Sequence, residues 1–199
     1  DGYRALCRIE KGKAQFFTRE WKDWTARFRE LAIAAVSLPV DQALIDGEVV
    51  VLEPDGTTSF QSLQNVLSRG EHQRLAYYAF DLPHLDGYDL TRVSLLARKE
   101  ALFKLLPPAP ENSPIRYSDH VVGEGETLLE HASQYGLEGI ISKRIDRPYS
   151  SGRGRDWLKI KCLQSQEFVI GGFTEPSGSR KGLGALLLGV YDEEGTLRY

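Results

Sequence analysis

The sequence predicts an α+β fold in which antiparallel sheets carry flanking helices. Strand-like and helix-like runs follow one another without the regular alternation that parallel α/β sheets require. Short turns at 11–13 and 55–56 join or end strand-like runs, as in antiparallel hairpins. A chain of 199 residues is long enough to bury a hydrophobic core.

In the first part of the chain, hydrophobic periodicity predicts a hairpin, two helices and two further strands. They are expected over residues 1–17 (hairpin), 24–36 (helix), 43–52 (strand), 60–67 (helix) and 75–82 (strand). Asp23 is a suitable N-cap for the first helix, and Pro39 ends that region. The apolar stripe of this helix consists of Phe28, Leu31, Ala32 and Ala35.

The second part of the chain predicts two more helices and a series of short strands. Helices are expected from Ser94 to about 106 and over 125–135, and strands over 115–121, near 139–143, over 157–161, and within 167–174 and 185–192. Gly136 suits the left-handed position that often follows a helix. The character of the sequence changes near 163–166, which predicts two domains, 1–163 and 164–199.

The run WLKIK at 157–161 places two lysines on one strand face. Alternation puts Leu158, Ile160 and Cys162 on an apolar face that we expect to pack on a core. Trp157, Lys159 and Lys161 lie on the other face. Two ammonium groups on one face repel unless an anion lies between them, and a phosphate fits that requirement. A solvated lysine pair on an edge strand is the alternative interpretation.

Composition excludes several classes of protein. The net charge of −3 gives no overall basic signal, so nucleic acid would have to bind a local basic surface. The two cysteines have no metal-ligand spacing and indicate a cytoplasmic protein with reduced thiols. No apolar run is long enough to cross a membrane, and no signal peptide opens the chain. Both ends lie in strand-like sequence, so we expect a piece of a longer protein.

Short stretches in order along the chain carry a family resemblance. They are DGYR at 1–4, LIDGE at 44–48, AFDLPHLDG at 79–87, EGIISK at 138–143 and WLKIK at 157–161. Together they resemble the covalent nucleotidyltransferases, and ATP-dependent DNA ligases in particular. The stretches YSSGRGRDWLKIK and EFVIGGFTEPSGSRKGLGALLLG resemble the ligase domain of bacterial ligase D. The resemblance implies a nucleotidyltransferase (adenylation) fold for 1–163 and the first strands of an OB-fold barrel for 164–199.

The resemblance also implies a reaction. A lysine takes AMP from ATP, AMP moves to a DNA 5′-phosphate, and a 3′-hydroxyl then attacks to close a break in nicked or broken duplex DNA. The family's first motif is K-x-D-G-x-R, and this chain begins at its aspartate, Asp1. The nucleophilic lysine is therefore expected just before Asp1, and the chain alone is expected to form no covalent AMP adduct.

Residue roles follow by position in these motifs. Lys159, Lys161 and Arg4 are the predicted catalytic residues, because the lysines would neutralise the α-phosphate in the transition state. The predicted nucleotide-binding set adds two residues: Glu48, which would contact the ribose or the metal, and Phe80, whose ring would stack on adenine. Tyr78 is the alternative ring, and Asp46 is expected to brace its strand.

Metal and DNA contacts complete the predicted site. Glu138, with Glu48, would hold Mg²⁺ or Mn²⁺ through oxygen ligands. Lys143 ranks below Glu138, because strict alternation over five residues puts the two on opposite faces. The predicted DNA-binding residues are Thr18, Arg19, Arg153 and Arg155.

Two other functions stay open at this level. An RNA ligase or capping-type nucleotidyltransferase would share the same motifs, although the ligase D-like stretch beyond residue 167 argues against it. A non-catalytic nucleotide- or DNA-binding module would fit a chain without the lysine. For a bacterial end-joining ligase, Ku and fused polymerase or phosphoesterase domains are the further partners to consider, in the bacterial cytoplasm.

Overall fold

The computed structural model describes residues 2–54, 56–71, 74–106, 113–150, 154–162, 167–179, 181–192 and 194–199. It confirms the α+β class. The strands are β1 (Tyr3–Glu10), β2 (Lys13–Thr18), β3 (Gln42–Val51), β4 (Leu75–Leu85), β5 (Tyr88–Asp89), β6 (Ile115–Tyr117), β7 (Gly139–Lys143), β8 (Trp157–Lys161), β9 (Val169–Phe173), β10 (Leu186–Tyr191) and β11 (Leu197–Arg198). The α-helices are α1 (Arg29–Val36), α2 (Phe60–Arg69), α3 (Leu95–Leu105) and α4 (Gly125–Gln134).

The main sheet has six strands. Its order is β2-β1-β3-β4-β5, with β6 also paired to β4. All neighbours are antiparallel except β4 and β6, which run parallel. The β3–β4 register shifts on either side of Asp46, so this residue lies at an irregularity in an otherwise regular ladder. An irregular ladder changes where a side chain points, and such features often occur next to active sites.

One face of the main sheet forms the core. Its fully buried side chains include Cys7, Phe16, Ile45, Val49 and Tyr77. Gly47 is required on this face, because a Cβ at that position would lie 2.5 Å from the Tyr77 ring. The Tyr77 hydroxyl donates to the Ala5 and Ile45 carbonyls, both at 2.9 Å, so its polar atom is satisfied inside the core.

Helices α1, α2 and α3 contribute side chains to this core. Asp23 accepts a hydrogen bond from the Thr25 backbone N–H at 2.8 Å, but the prediction that it is the N-cap is wrong. The helical region begins with a 3-10 helix, Thr25–Phe28, ahead of α1, and its N-cap position is Trp24, without a side-chain cap hydrogen bond. The predicted apolar stripe, Phe28, Leu31, Ala32 and Ala35, is buried. Ser94 caps α3, and Gly136 adopts a left-handed φ of 67° after α4. The strand predicted over 115–121 is shorter, at Ile115–Tyr117.

The hairpin β7–β8 forms a separate two-stranded sheet. The expectation that Leu158 and Ile160 pack on a core is wrong, since their exposed fractions are 52% and 37%. A two-stranded sheet is too small to cover its own apolar face. Within the described part of unit 1–161, α4 is the helix that packs on β7.

The chain divides into two compact units, 1–161 and 162–199. The second unit contains an open antiparallel sheet in the order β11-β10-β9. Ahead of β11, the Gly195 N–H donates to the Asp192 carbonyl at 2.9 Å. Among the described residues, no helix combines the length and apolar character needed to cross a bilayer.

Candidate active site

The second face of the main sheet brings several predicted site residues together. Arg4 of β1 pairs with Glu48 of β3, and Glu48 pairs with Tyr78 of β4. Residues directly opposed in antiparallel strands project to the same side, and Phe80 joins them because it follows Tyr78 by two residues. The register therefore places Arg4, Glu48 and Phe80 on one surface, opposite the core.

A buried carboxylate holds the guanidinium of Arg4. Its Nε donates to Asp46 Oδ1 at 3.0 Å, and its Nη2 donates to Asp46 Oδ2 at 2.6 Å. The Tyr149 hydroxyl donates to the same Oδ2 at 2.8 Å. Burial and the Asp46 carboxylate raise the pKa of Tyr149, so its hydroxyl stays protonated as a donor. Asp46 therefore orients Arg4, a more specific role than the predicted bracing of its strand.

Phe80 and Trp157 form the aromatic part of the site. Their ring centroids are 5.6 Å apart at an interplanar angle of 76°, an edge-to-face contact. The Arg4 guanidinium carbon lies 5.0 Å from the Trp157 ring centroid and 5.6 Å from that of Phe80. Phe80 is half-buried, and the stacking of its ring on adenine stays a prediction. Tyr78, the alternative ring, instead accepts a hydrogen bond at its hydroxyl from Arg116 Nη1 at 3.1 Å.

Lys143 lies at this aromatic pair. Its Nζ is 3.9 Å from the Trp157 ring centroid and 4.1 Å from that of Phe80. It pairs with Trp157 across β7–β8, so both share the face of Lys159. The predicted separation of Lys143 from Glu138 is wrong, because Glu138 precedes β7 and strand alternation does not extend to it. Burial lowers the pKa of Lys143 to about 8.

An anion lies between the two lysines of β8, and it is the carboxylate of Glu138. Its Oε1 is 2.7 Å from Lys159 Nζ and 3.2 Å from Lys161 Nζ. The hydrogen bonds from Lys159 and then Lys161 lower the pKa of Glu138. The charge requirement deduced from the lysine pair is therefore met within the chain, and a phosphate at this position stays a prediction.

Gly139 allows β7 to lie close to β8 at the end of the hairpin next to Glu138. It pairs with Lys161 in the hairpin and has a φ of 153°, a conformation that favours glycine. A Cβ at this position would lie 2.1 Å from the Ile160 carbonyl oxygen. Glycine therefore allows this close pairing of β7 with β8, which begins one residue after Glu138.

The predicted metal ligands do not form a protein cage. Within the described ranges, no group of three His, Cys, Asp or Glu side chains is placed to hold a metal ion. Mg²⁺ commonly binds through one or two carboxylates together with water and substrate phosphate, so a single carboxylate such as Glu138 still fits that mode. Glu48 is half-buried on the Arg4 face, and its role towards ribose or metal stays a prediction.

The predicted DNA-binding residues lie in two places. Thr18 ends β2 and pairs with Ala5 of β1. Ala5 is the residue that follows Arg4 in the sequence. The next residue, Arg19, is exposed, as is Arg155 ahead of β8. Arg153 lies outside the described residues. The contacts of Thr18, Arg19 and Arg155 with DNA stay predictions.

Replacing Lys143 with methionine is expected to raise stability most below pH 8. The folded-state pKa of about 8 lies below the ordinary 10.5, so the unfolded chain binds more protons between these values and stability rises with pH there. Below pH 8 the wild type carries the full cost of burying the ammonium. We expect an advantage for Lys143→Met on the order of 1 kcal/mol at pH 7 after solvent screening, shrinking towards pH 10.

Urea unfolding of both proteins across pH 6–10 measures this difference. Lys13→Met, at an exposed lysine that begins β2, is the control and should give a smaller difference at pH 7. A Lys143→Met advantage that grows as the pH rises above 8 would contradict the assigned direction.

Comparison with known proteins places the fold in a family. A family model described as the ATP dependent DNA ligase domain matches residues 1–161. The "Multifunctional non-homologous end joining protein LigD" of Pseudomonas aeruginosa is 45% identical over 201 aligned residues, covering 100% of this chain and 24% of that protein. A "Multifunctional non-homologous end joining DNA repair protein LigD" of Mycobacterium tuberculosis is 35% identical, covering 96% of this chain and 24% of its own length.

Two solved structures have a similar fold and support this family. The ligase domain of M. tuberculosis LigD has a TM-score of 0.71 and 32% identity, and covers 100% of this chain and 62% of its own. A mycobacterial DNA ligase D complexed with ATP and MES has a TM-score of 0.69 and 33% identity, with the same coverages. The fold is that of the ligase nucleotidyltransferase domain. The chain belongs to the family of ATP-dependent DNA ligase domains, and spans about a quarter of the length of the curated relatives described above.

Proposed function

We propose that this chain supplies the nucleotide site of an adenylation domain that seals 5′-phosphate/3′-hydroxyl breaks in duplex DNA. The observation that carries the proposal is the convergence of Lys159 and Lys161 on one carboxylate oxygen of Glu138, at 2.7 and 3.2 Å. Two ammonium groups that can share one anionic oxygen are spaced to share a phosphate oxygen as well. The ligase names and the ATP complex among the relatives support the same assignment.

The aromatic and basic groups would divide the nucleotide between them. The part-exposed ring of Phe80 would take the base, and stacking adds roughly 0.5–1.5 kcal/mol beyond buried area. Arg4, held by Asp46, would face the sugar and α-phosphate from the neighbouring strand. The lysines of β8 would neutralise charge that develops on the α-phosphate as AMP is transferred. Lys143 adds a further positive charge beside the rings.

The nucleophile in this proposal is a lysine two residues before Asp1, as the motif K-x-D-G-x-R requires. A lysine near neutral pH is mostly protonated, and nearby cations such as Arg4, Lys159 and Lys161 favour its neutral, nucleophilic form. The 199-residue chain itself would then bind ATP without forming a covalent adduct.

Labelling with ATP tests this function. The 199-residue chain, the same chain preceded by Lys-Xaa, and the same chain preceded by Ala-Xaa are each incubated with α-labelled ATP and Mg²⁺. We expect labelled protein that survives denaturing gel electrophoresis at neutral to alkaline pH only with Lys-Xaa, because lysyl-AMP is a phosphoramidate that acid hydrolyses. All three should bind ATP non-covalently. Equal labelling of the 199-residue chain would sink the missing-nucleophile proposal. No ATP binding by any of the three would sink the nucleotide site.

The metal in this proposal is Mg²⁺ or Mn²⁺. Glu138 would give up its contacts with the β8 lysines when it binds the cation, and those lysines would then pair with phosphate oxygens instead. This exchange keeps the charges balanced, because one carboxylate leaves the lysines as one phosphate oxygen arrives. It also predicts that nucleotide and divalent cation bind more tightly together than singly.

The DNA-binding part rests on half-buried Thr18 and on exposed Arg19 and Arg155. Thr18 and Arg19 lie at the end of β2 beside the Arg4 strand, and Arg155 lies just ahead of β8. These residues, with Arg153, would contact backbone phosphates. End joining is proposed from the names of the LigD relatives, which describe multifunctional non-homologous end joining proteins. Ku or fused domains as partners, and the bacterial cytoplasm as location, are proposed from the family resemblance of the sequence. Sealing of nicked DNA but not nicked RNA by the lysine-containing parent separates a DNA ligase from an RNA ligase.

A further inference from the structure

Two fully buried aspartates lie opposite each other beneath the site. Asp46 of β3 and Asp81 of β4 are register partners, and both have 0% exposure. Two buried carboxylates in adjacent strands repel strongly unless each is compensated. Each has its own arginine: Arg4 bonds both oxygens of Asp46, and Arg98 bonds both oxygens of Asp81, with Nε–Oδ1 at 2.6 Å and Nη2–Oδ2 at 3.0 Å.

Arg98 does more than neutralise Asp81. Its remaining nitrogen, Nη1, donates to the Val93 carbonyl and to the Arg147 carbonyl, the latter at 3.2 Å. The Arg147 carbonyl lies in the segment 144–150 that follows β7, so Arg98 ties this segment to the start of α3. The guanidinium carbon of Arg98 also lies 5.7 Å from the ring centroid of Tyr149. Arg98 itself has 0% exposure.

Tyr149 links this buried arginine to the other one. Its backbone N–H donates to the Thr91 carbonyl at 2.7 Å, which fixes its main chain beside α3. Its hydroxyl donates to Asp46 Oδ2 at 2.8 Å, the oxygen that also accepts from Arg4 Nη2. The contacts therefore run from Arg98 to Tyr149, then to Asp46, and end at Arg4.

We propose that Arg98 and Tyr149 are positioning residues that set the orientation of the Arg4 guanidinium at the nucleotide site. This inference rests on the proposed function. With Tyr149 in place, the Asp46 carboxylate has donors from two directions and cannot turn about its last bond. If the Tyr149 hydroxyl is removed, Arg4 is the side chain in these contacts that still bonds both Asp46 oxygens. Arg4 and Asp46 can then turn together. The Arg4 side chain is 37% exposed, so solvent leaves room for such a turn, and the turn would change its distances to Phe80 and Trp157.

A double-mutant cycle tests the inference. Tyr149→Phe removes one hydroxyl and keeps the ring under Arg98, so the fold should survive. We expect it to weaken MgATP binding to the 199-residue chain about five- to tenfold. In an Arg4→Ala background the same change should have no further effect, because the group through which Tyr149 acts is gone. Equal losses in both backgrounds would overturn the positioning role and leave a merely structural one.

The orientation of Arg4 can also be followed without nucleotide. The Arg4 side-chain Nε–H gives an amide-type NMR signal that Arg4→Lys identifies by its loss. We expect hydrogen exchange at this Nε–H to be several times faster in Tyr149→Phe than in wild type. Tyr135→Phe, which alters a tyrosine that is 78% exposed, should change neither the exchange rate nor ATP binding.

The two measurements separate the inference from the function on which it rests. Faster Arg4 exchange with no ATP binding by the wild type would remove the nucleotide site and with it the positioning role. ATP binding by the wild type with unchanged exchange and unchanged affinity in Tyr149→Phe would overturn the inference and leave the proposed function standing.

Discussion

Lys159→Ala in the lysine-containing parent is expected to slow covalent AMP transfer about a hundredfold or more. Lys159 Nζ lies 2.7 Å from Glu138 and stands on the Trp157 face of β8, where the α-phosphate is proposed to bind. Removing one preorganised donor from a developing negative charge typically costs 10²- to 10³-fold in rate. Single-turnover labelling with ATP at saturating Mg²⁺ measures the rate. Lys13→Ala, at an exposed lysine in β2, is the matched control and should label at the wild-type rate.

The companion variant Glu138→Gln separates the two sides of this contact. It keeps the size of the side chain but removes the charge, so a metal role predicts a large increase in the Mg²⁺ concentration needed for half-maximal rate. Lys159→Ala should lower the rate without that increase. If Lys159→Ala labels as fast as wild type, the lysine pair is a solvated strand face and the assignment is wrong.

The regular elements were predictable because their patterns are local. The stripe Phe28, Leu31, Ala32 and Ala35 is buried, and Ser94 caps the helix that begins at the next residue. Helical period and capping chemistry act over a few residues, so a sequence shows them directly. The prediction from alternation was wrong for Leu158 and Ile160. A period of two shows which side chains share a face of a strand, but it does not show whether another element packs on that face.

The candidate site was predictable only in part. Arg4, Glu48 and Phe80 occupy one face because the antiparallel register brings three strands together, as the motif order implied. Tyr149 was missed, since its partner Asp46 is 103 positions earlier in the chain and no local pattern connects them. A sequence signal did exist: an aspartate inside an apolar strand needs a partner, and Asp46 and Asp81 both meet that description.

The anion between the β8 lysines shows a different limit. The sequence correctly required a negative charge beside Lys159 and Lys161, but it could not distinguish a bound phosphate from a side chain of the same protein. The contact of Glu138 with these lysines follows from the close β7–β8 pairing at Gly139, which depends on a backbone conformation that a pattern of residue types does not specify. In the proposed exchange, the same lysine spacing would serve both anions in turn.

Arg98→Met is expected to destabilise the protein by about 3–5 kcal/mol, the range typical for removing one partner of a buried ion pair. Both Arg98 and Asp81 have 0% side-chain exposure, so the variant leaves an uncompensated carboxylate inside the core, together with the Val93 and Arg147 carbonyls that Arg98 had bonded. This is a large part of the 5–15 kcal/mol that stabilises an ordinary domain.

Two further variants make this measurement specific. Removing both charges in Arg98→Met/Asp81→Leu should recover much of the loss, since replacing a buried ion pair with apolar side chains is often nearly neutral. Arg74→Met, which breaks an exposed pair with Glu71 at 3.4 Å, should cost less than about 1 kcal/mol. Urea unfolding followed by far-ultraviolet circular dichroism gives all three values. A loss in Arg98→Met no greater than that in Arg74→Met would show that Arg98 is not needed to compensate the buried Asp81 carboxylate.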